Sequence, residues 1–377
     1  MTKIPDAFKT HPAVFAVGNN YQIMVPVKYS VIMWVKVGTQ CYYDDSNGIL
    51  RSEVTTHRVT VPMDELDREK KYTICYRKII DRKPYYPELE NEVQTEYDFY
   101  PVGDKETVVA YHISDAHNAV EHPVKAAKTF ENMGKNIDFL ILNGDIPNHS
   151  GKIEYFDNIY QIVSDITHGS KPALFSRGNH DTRGIYSENI SDHTPTEQGN
   201  SFFSFRLGSL WGLVIDCGED KVDEAPPYGG TICCHAFRER ETKYIKSLIT
   251  RAHKEFLAEG VKHRVVVCHV PFTEHFEEDI FNIEEDIYRY WAQLLKEFIR
   301  PDVMLCGHTH RAEIHEPGCE HDVYGQPCTI VIGSKPSETG GECYHFVGAG
   351  IEFRKDEIEV FFTDSDGNHV GGGVIKK

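Results

Sequence analysis

Thr107-Val108-Val109-Ala110-Tyr111-His112-Ile113-Ser114-Asp115-Ala116-His117 sets an apolar run directly before two side chains that can bind a metal. The pattern recurs four times downstream. Ile137 to Leu142 precedes Asn143-Gly144-Asp145, and Ala173 to Phe175 precedes Gly178-Asn179-His180-Asp181. Val265 to Cys268 precedes His269, and Val303 to Cys306 precedes Gly307-His308-Thr309-His310. Short runs rich in Val, Ile, Leu and Phe, bounded by Gly or Asp, suit strands covered on both faces. Each polar cluster then stands at the C-terminal end of a strand, the edge at which open α/β sheets bind their ligands.

Helical patterns fill the gaps. Pro123 opens one whose apolar face is Val124, Ala127, Phe130 and Met133, and Gly134 closes it. A second aligns Ile153, Phe156, Tyr160, Val163 and Ile166 before Gly169. A third carries Ile287, Trp291, Leu294, Leu295 and Phe298 towards Pro301. These stripes read as core.

A single Asp-x-His or a single strand histidine is weak evidence for a metal, but five such segments in one order are not a coincidence. Together they resemble the calcineurin-like metallophosphoesterase superfamily, whose motifs run D-x-H, G-D, G-N-H-D/E, H and G-H-x-H. The resemblance spans about residues 107–360 and every metal-binding position is filled. It implies an α/β four-layer sandwich, two mixed β-sheets packed face to face with helices outside.

It also implies a ligand set. Asp115, His117, Asp145 and His310 would surround one metal ion, and Asn179, His269, His308 and the shared Asp145 the other. A bridging hydroxide would attack phosphorus in line while both ions stabilise the phosphoryl oxygens. Mixed oxygen and imidazole donors suit manganese, iron or zinc. His180, beside the ligand Asn179, would protonate the departing oxygen, and Asp181 would orient its ring. The implied activity is phosphoester hydrolysis, with a small phosphomonoester favoured. A phosphodiesterase, or a noncatalytic phosphate-binding scaffold on the same fold, is the alternative; a scaffold would be expected to have a broken ligand set, and this one is intact.

Other polar residues carry less. Arg183 could meet a phosphate but reads first as a solvated arginine, and His149 and His275 read as loop histidines. Asp216 reads as a cap. Cys233-Cys234-His235 lacks the second Cys/His cluster that a further zinc site needs.

The first hundred residues follow another pattern. About seven short strands, at 14–17, 21–27, 31–37, 40–43, 56–61, 71–79 and 92–100, suggest a fibronectin III or immunoglobulin-like β-sandwich over 1–104, with the catalytic domain over 105–377. A Pro/Gly/Asp turn near 101–105 would mark the boundary. A sandwich ahead of this catalytic domain is similar to purple acid phosphatases. Those enzymes place an iron-binding tyrosine three residues after the Asp of Gly-Asp, where this chain has Asn148. The tyrosinate colour is therefore not expected. The sandwich itself is a candidate docking module for a protein or glycan.

Composition narrows the partners. With 40 basic and 58 acidic residues the formal charge is −18, which disfavours nonspecific nucleic-acid binding and leaves a small phosphorylated substrate as the better fit. The acidic stretch Glu277 to Asp286 would repel polyanions if it overhung the site. No run of about eighteen apolar residues can span a membrane, and Met1 to Asp6 lacks the apolar core of a secretory signal. Ten irregularly spaced cysteines read as free thiols of a reducing cytoplasm. The long segment 217–238 reads as a lid, a binding loop or a disordered insertion.

Overall fold

The computed structural model describes residues 2–377. Among them, a mixed ten-stranded sheet and a six-stranded sheet form the centre of the molecule. In the larger sheet, Val108–Ile113, Phe139–Asn143 and Pro172–Ser176 run parallel. The C-terminal strands Glu342–Phe353, Glu357–Asp364 and His369–Lys376 continue it antiparallel on one side. In the smaller sheet, Leu210–Ile215, His263–Cys268, Val303–Cys306 and Ile330–Gly333 are parallel, and Phe203–Leu207 and Ala312–His315 are antiparallel edges.

Side-chain alternation assigns the layers. Ala110, Ile141, Leu174, Val214, Val267, Leu305 and Val331 meet between the sheets. Their neighbours Tyr111, Ile113, Leu140 and Leu142 point outward against the helices Glu121–Asn132 and Asp157–Thr167. Leu213, Ile215, Val266 and Cys268 do the same against Cys234–Thr250 and Glu285–Leu294. Each fully buried Val, Leu or Ile contributes about 1.5–3 kcal/mol, so strands covered on both faces hold their register firmly. This is the expected four-layer arrangement.

Two helical expectations need adjustment. Glu121–Asn132 stops one residue early, which leaves Met133 at its C-cap and exposed. After Glu285–Leu294 comes a π-helical turn, Leu295–Ile299, whose extra residue per turn shifts the phase. Ile299 takes the inward place, and Phe298 faces out.

The N-terminal segment is β-rich and two-layered, with all seven expected strands present within a few residues of their expected limits. It is not a free-standing unit ending at 104. Ala13–Val17 pairs in parallel with Pro172–Ser176, and Asn20–Pro26 and Thr56–Pro62 extend the same sheet. A second layer, Val93–Asp98, Lys71–Asp81, Val31–Val37 and Gln40–Tyr43, covers them. Tyr21, Val31, Tyr72 and Phe99 belong to the same core as Ala110 and Val267. One layer of the expected sandwich is thus the edge of the catalytic sheet.

No helix among the described residues is long and apolar enough to cross a membrane.

Candidate metal centre

The parallel strands of both sheets end at one place, and Asn143 ties those ends together. Its Nδ2, fully buried on the larger sheet, donates to the carbonyl of Leu305 on the smaller one at 3.0 Å and lies 3.0 Å from His112 Nε2. Burial, reinforced by His269, pushes His112 down to about 3, so it is a neutral acceptor.

Beyond the strand ends the backbone turns sharply. Five of the seven expected ligands, Asp115, His117, Asp145, His308 and His310, have φ between 44° and 69°. For residues other than glycine this left-handed conformation costs about 1–2 kcal/mol each. Neighbouring loops hold it in place. Asp115 N–H donates to Gly144 O at 3.1 Å, His117 N–H to Asp145 O at 3.0 Å, and His308 N–H to both Asp115 carboxylate oxygens at 3.0 Å.

Close approach explains two glycines of the motifs. A Cβ on Gly178 would stand 2.2 Å from Asp145 Oδ1, and one on Gly307 would stand 1.8 Å from Ser114 Oγ and 2.6 Å from Asp115 Oδ2. Any side chain there would displace a carboxylate.

All seven residues come together. His117 Nε2 and His310 Nε2 are 3.0 Å apart, and His310 Nε2 is 3.6 Å from Asp115 Oδ1. His269 Nε2 lies 3.2 Å from Asp145 Oδ2 and 3.7 Å from Asp115 Oδ1, buried and without a hydrogen-bonding partner. Its other nitrogen donates to Asn143 O at 2.7 Å, which fixes the tautomer and turns Nε2 to the carboxylates. His308 Nδ1 is 3.1 Å from Asn179 Oδ1. Donor atoms of Asp115, His117 and His310, and those of Asp115, Asp145 and His269, lie within 4.8 Å of one another.

The electrostatics fit cations. Burial pushes His117 and His308 down to about 3, which leaves neutral imidazoles with free lone pairs. Burial acts the same way on His269, yet Asp145 and Asp115 overcome it and raise that ring to about 10. The buried carboxylates thus favour positive charge at this point, which a metal ion would supply.

His180 and Asp181 stand differently from the expectation. His180 Nδ1 donates to the carbonyl of Asn148 at 2.8 Å, and Nε2 turns towards Asp145 Oδ2 at 4.0 Å. Asp181 does not touch that ring. Its Oδ2 accepts the N–H groups of Gly178 at 2.7 Å and Asp145 at 3.1 Å, so it braces the two ligand loops. The short 3₁₀ turn His180–Thr182 sends successive side chains in different directions. The backbone carbonyl of Asn148 does the orienting that the sequence assigned to Asp181.

Remaining candidates fall outside the centre. Arg183 is half-buried and not free for phosphate, because Glu219 at 3.0 Å and Asp220 at 3.2 Å engage it. His149 accepts Gly151 N–H and packs on Tyr155, and His275 is exposed. Asp216 pairs with Arg177 at 2.7 Å and accepts Gly218 N–H. His235 pairs with Glu284 at 3.0 Å, apart from any metal-binding group among the described residues.

The sequence missed Asp220. Its Oδ2 accepts Asn179 Nδ2 at 3.1 Å, and burial, which would raise its pKa, is outweighed by Lys221 and Arg183, so it stays ionised. With residues 182–188, the segment 217–238 borders a cavity of about 710 Å³, lined by Ile185, Tyr228 and Ile232 among others. A cleft of about 350 Å³ lies over the ligands, walled by Phe276, Glu277, Glu278, Phe281 and Arg311. Of the acidic stretch, Glu277 and Glu278 reach the cleft, whereas Glu284 turns away to pair with Arg238 and His235.

Residues 109–312 match the family model described as calcineurin-like phosphoesterase. No curated protein matches the chain. Among solved structures it is similar to a purple acid phosphatase from yellow lupin (Lupinus luteus) seeds, with 12% identity and a TM-score of 0.58 over 97% of this chain and 74% of that one. It is also similar to PhoD, with 12% identity and a TM-score of 0.52 over 99% of this chain and 90% of that one.

Proposed function

Because the chain belongs to the calcineurin-like phosphoesterase family and is a metal-dependent phosphoester hydrolase, we propose that it cleaves a small-molecule phosphomonoester over a dinuclear centre. Asp115, His117, Asp145 and His310 would hold one ion, and Asp145, Asn179, His269 and His308 the other. Manganese, iron or zinc suits these donors. When bound, the ions supply Lewis acidity to the phosphoryl oxygens and lower the pKa of water. The observation that carries this reading is the convergence of two donor groups, from the ends of two sheets, within 4.8 Å.

The chain's own side chains do the rest. Asp145 would be shared by the two ions, and Asp181 and the His180 N–H hold it in place. His180, anchored through Nδ1 on Asn148, keeps Nε2 free to carry a proton to the departing oxygen. Phe276 and Phe281 wall the cleft, while Glu277 and Glu278 disfavour a second phosphate or a polyanion. In the neighbouring cavity Arg183 and Lys221 are already paired with Glu219 and Asp220, so it suits the uncharged part of a substrate.

The test is to reconstitute the metal-free protein with Mn²⁺, Fe²⁺ or Zn²⁺ and assay phosphomonoesters, diesters and nucleotides. Small monoesters should turn over fastest. Preference for diesters would reverse the substrate assignment, and no turnover with any of the three metals would end the hydrolytic one.

A further inference from the structure

A primary amide has two ends of nearly equal size, but only its oxygen can ligate a cation. Asn179 is 1% exposed, so its orientation is set by neighbours and not by water. Its Oδ1 faces His308 Nδ1 at 3.1 Å, and its Nδ2 donates to Asp220 Oδ2 at 3.1 Å. The other oxygen of Asp220 accepts Lys221 Nζ at 2.8 Å and Arg183 Nη2 at 3.2 Å, and lies 2.9 Å from the Tyr228 hydroxyl, whose one proton is shared with Glu219 at 2.7 Å. One carboxylate thus has two cationic donors and a shared hydroxyl on one oxygen and the amide of a candidate ligand on the other.

We propose that Asp220 is a positioning residue that keeps the oxygen end of the Asn179 amide towards the metal centre, an inference that rests on the ligand assignment above. Turning the amide over would aim its NH₂ group at the cations and set its oxygen against Asp220 Oδ2. Both contacts are repulsive. Arg183, Lys221 and Tyr228 hold the carboxylate from the far side, so two loops that contribute no ligand, 182–188 and 219–231, bear on the metal affinity. Partners of this kind, one shell out from a metal, typically change affinity 10- to 100-fold when removed.

The experiment is calorimetric titration of the metal-free protein with Mn²⁺ alone, in wild type, Asp220→Ala, Asn179→Asp and the double variant. Asp220→Ala should weaken one of the two Mn²⁺ sites at least tenfold. Asp220→Asn, which preserves volume, should do the same, because Arg183 and Lys221 claim its amide oxygen and turn its NH₂ towards Asn179. The Asn179→Asp background removes the need for orientation, since both ends of a carboxylate are oxygens. There, Asp220→Ala should leave affinity unchanged or tighten it by relieving like-charge repulsion. Equal loss in both backgrounds would mean a general collapse of the loop and would overturn the proposal, as would no loss in either. A wild-type protein that takes up no Mn²⁺ would instead refute the ligand assignment, and this inference with it.

Discussion

Gly178→Ala should damage the metal centre without straining the backbone, because Gly178 is not among the positive-φ glycines. The cost is steric. The added Cβ would stand 2.2 Å from Asp145 Oδ1 and 2.6 Å from Asp145 N, whereas ordinary contact begins near 3.4 Å. The carboxylate must retreat by about 1.2 Å or the loop must open. A misplacement of about 1 Å at a reacting centre costs on the order of 10²-fold in rate, or about 2.7 kcal/mol of barrier. Overpacking should add about 1–3 kcal/mol of destabilisation. The matched control is Gly134→Ala, where φ is +82° and nothing lies within 4 Å of the new Cβ. That variant pays about 1–2 kcal/mol of left-handed strain and should keep full activity. The assay is kcat/KM on an aryl phosphate with Mn²⁺ in excess, alongside urea denaturation of both variants. Gly178→Ala activity within twofold of wild type would refute the steric argument.

His180→Ala should slow esters with poor leaving groups by about 10²–10⁴-fold and activated aryl esters much less; equal slowing of both classes would remove its role as proton donor. His315 hydrogen-bonds Glu274 at 2.5 Å, and this bond, opposed by burial and aided by Glu313, raises its pKa. A raised histidine stabilises the fold fully below its unfolded value of about 6.5 and loses that contribution as pH climbs through the higher folded value. The Tm gap between wild type and His315→Gln should therefore be widest near pH 6 and shrink towards pH 9, and a gap independent of pH would contradict the assignment. Asn143→Leu leaves the Leu305 carbonyl and His112 without their donor and should cost about 2–6 kcal/mol in urea denaturation, at roughly 1–3 kcal/mol for each of the two buried orphans. A piece comprising 105–377 alone should be insoluble, because it bares the edge of Pro172–Ser176; a soluble, cooperatively melting fragment would show that the N-terminal strands are dispensable.

The ligands were legible because each carries its own local signature, a buried run followed by a polar residue in a tight turn. Asp220 has no such signature. It lies 41 positions from Asn179, in a long segment whose side chains show no periodicity, and the contact exists only once the two loops are folded against each other. Asp181 illustrates the opposite error. Adjacency to His180 suggested a pair, but a 3₁₀ turn separates neighbouring side chains, and the buried carboxylate went to the nearest unpaired N–H groups, those of Gly178 and Asp145.

The pairing of N-terminal strands with the larger sheet has a physical signature in the strand pattern. Val31–Val37 alternates strictly between buried and half-buried residues, as a strand with one solvated face should. Ala13–Val17 does not alternate. Its five residues, Ala-Val-Phe-Ala-Val, are all apolar and all buried, with Val14 in the core between the layers and Phe15 against the helix-covered face. A strand covered on both faces needs a helix on one side, and the first hundred residues offer only the seven-residue helix Met63–Glu69. The cover had to come from elsewhere in the chain, and it comes from Asp157–Thr167, which packs on Ala13–Val17 as it does on Pro172–Ser176. Integration of the N-terminal strand into the catalytic sheet is what its unbroken apolar run requires.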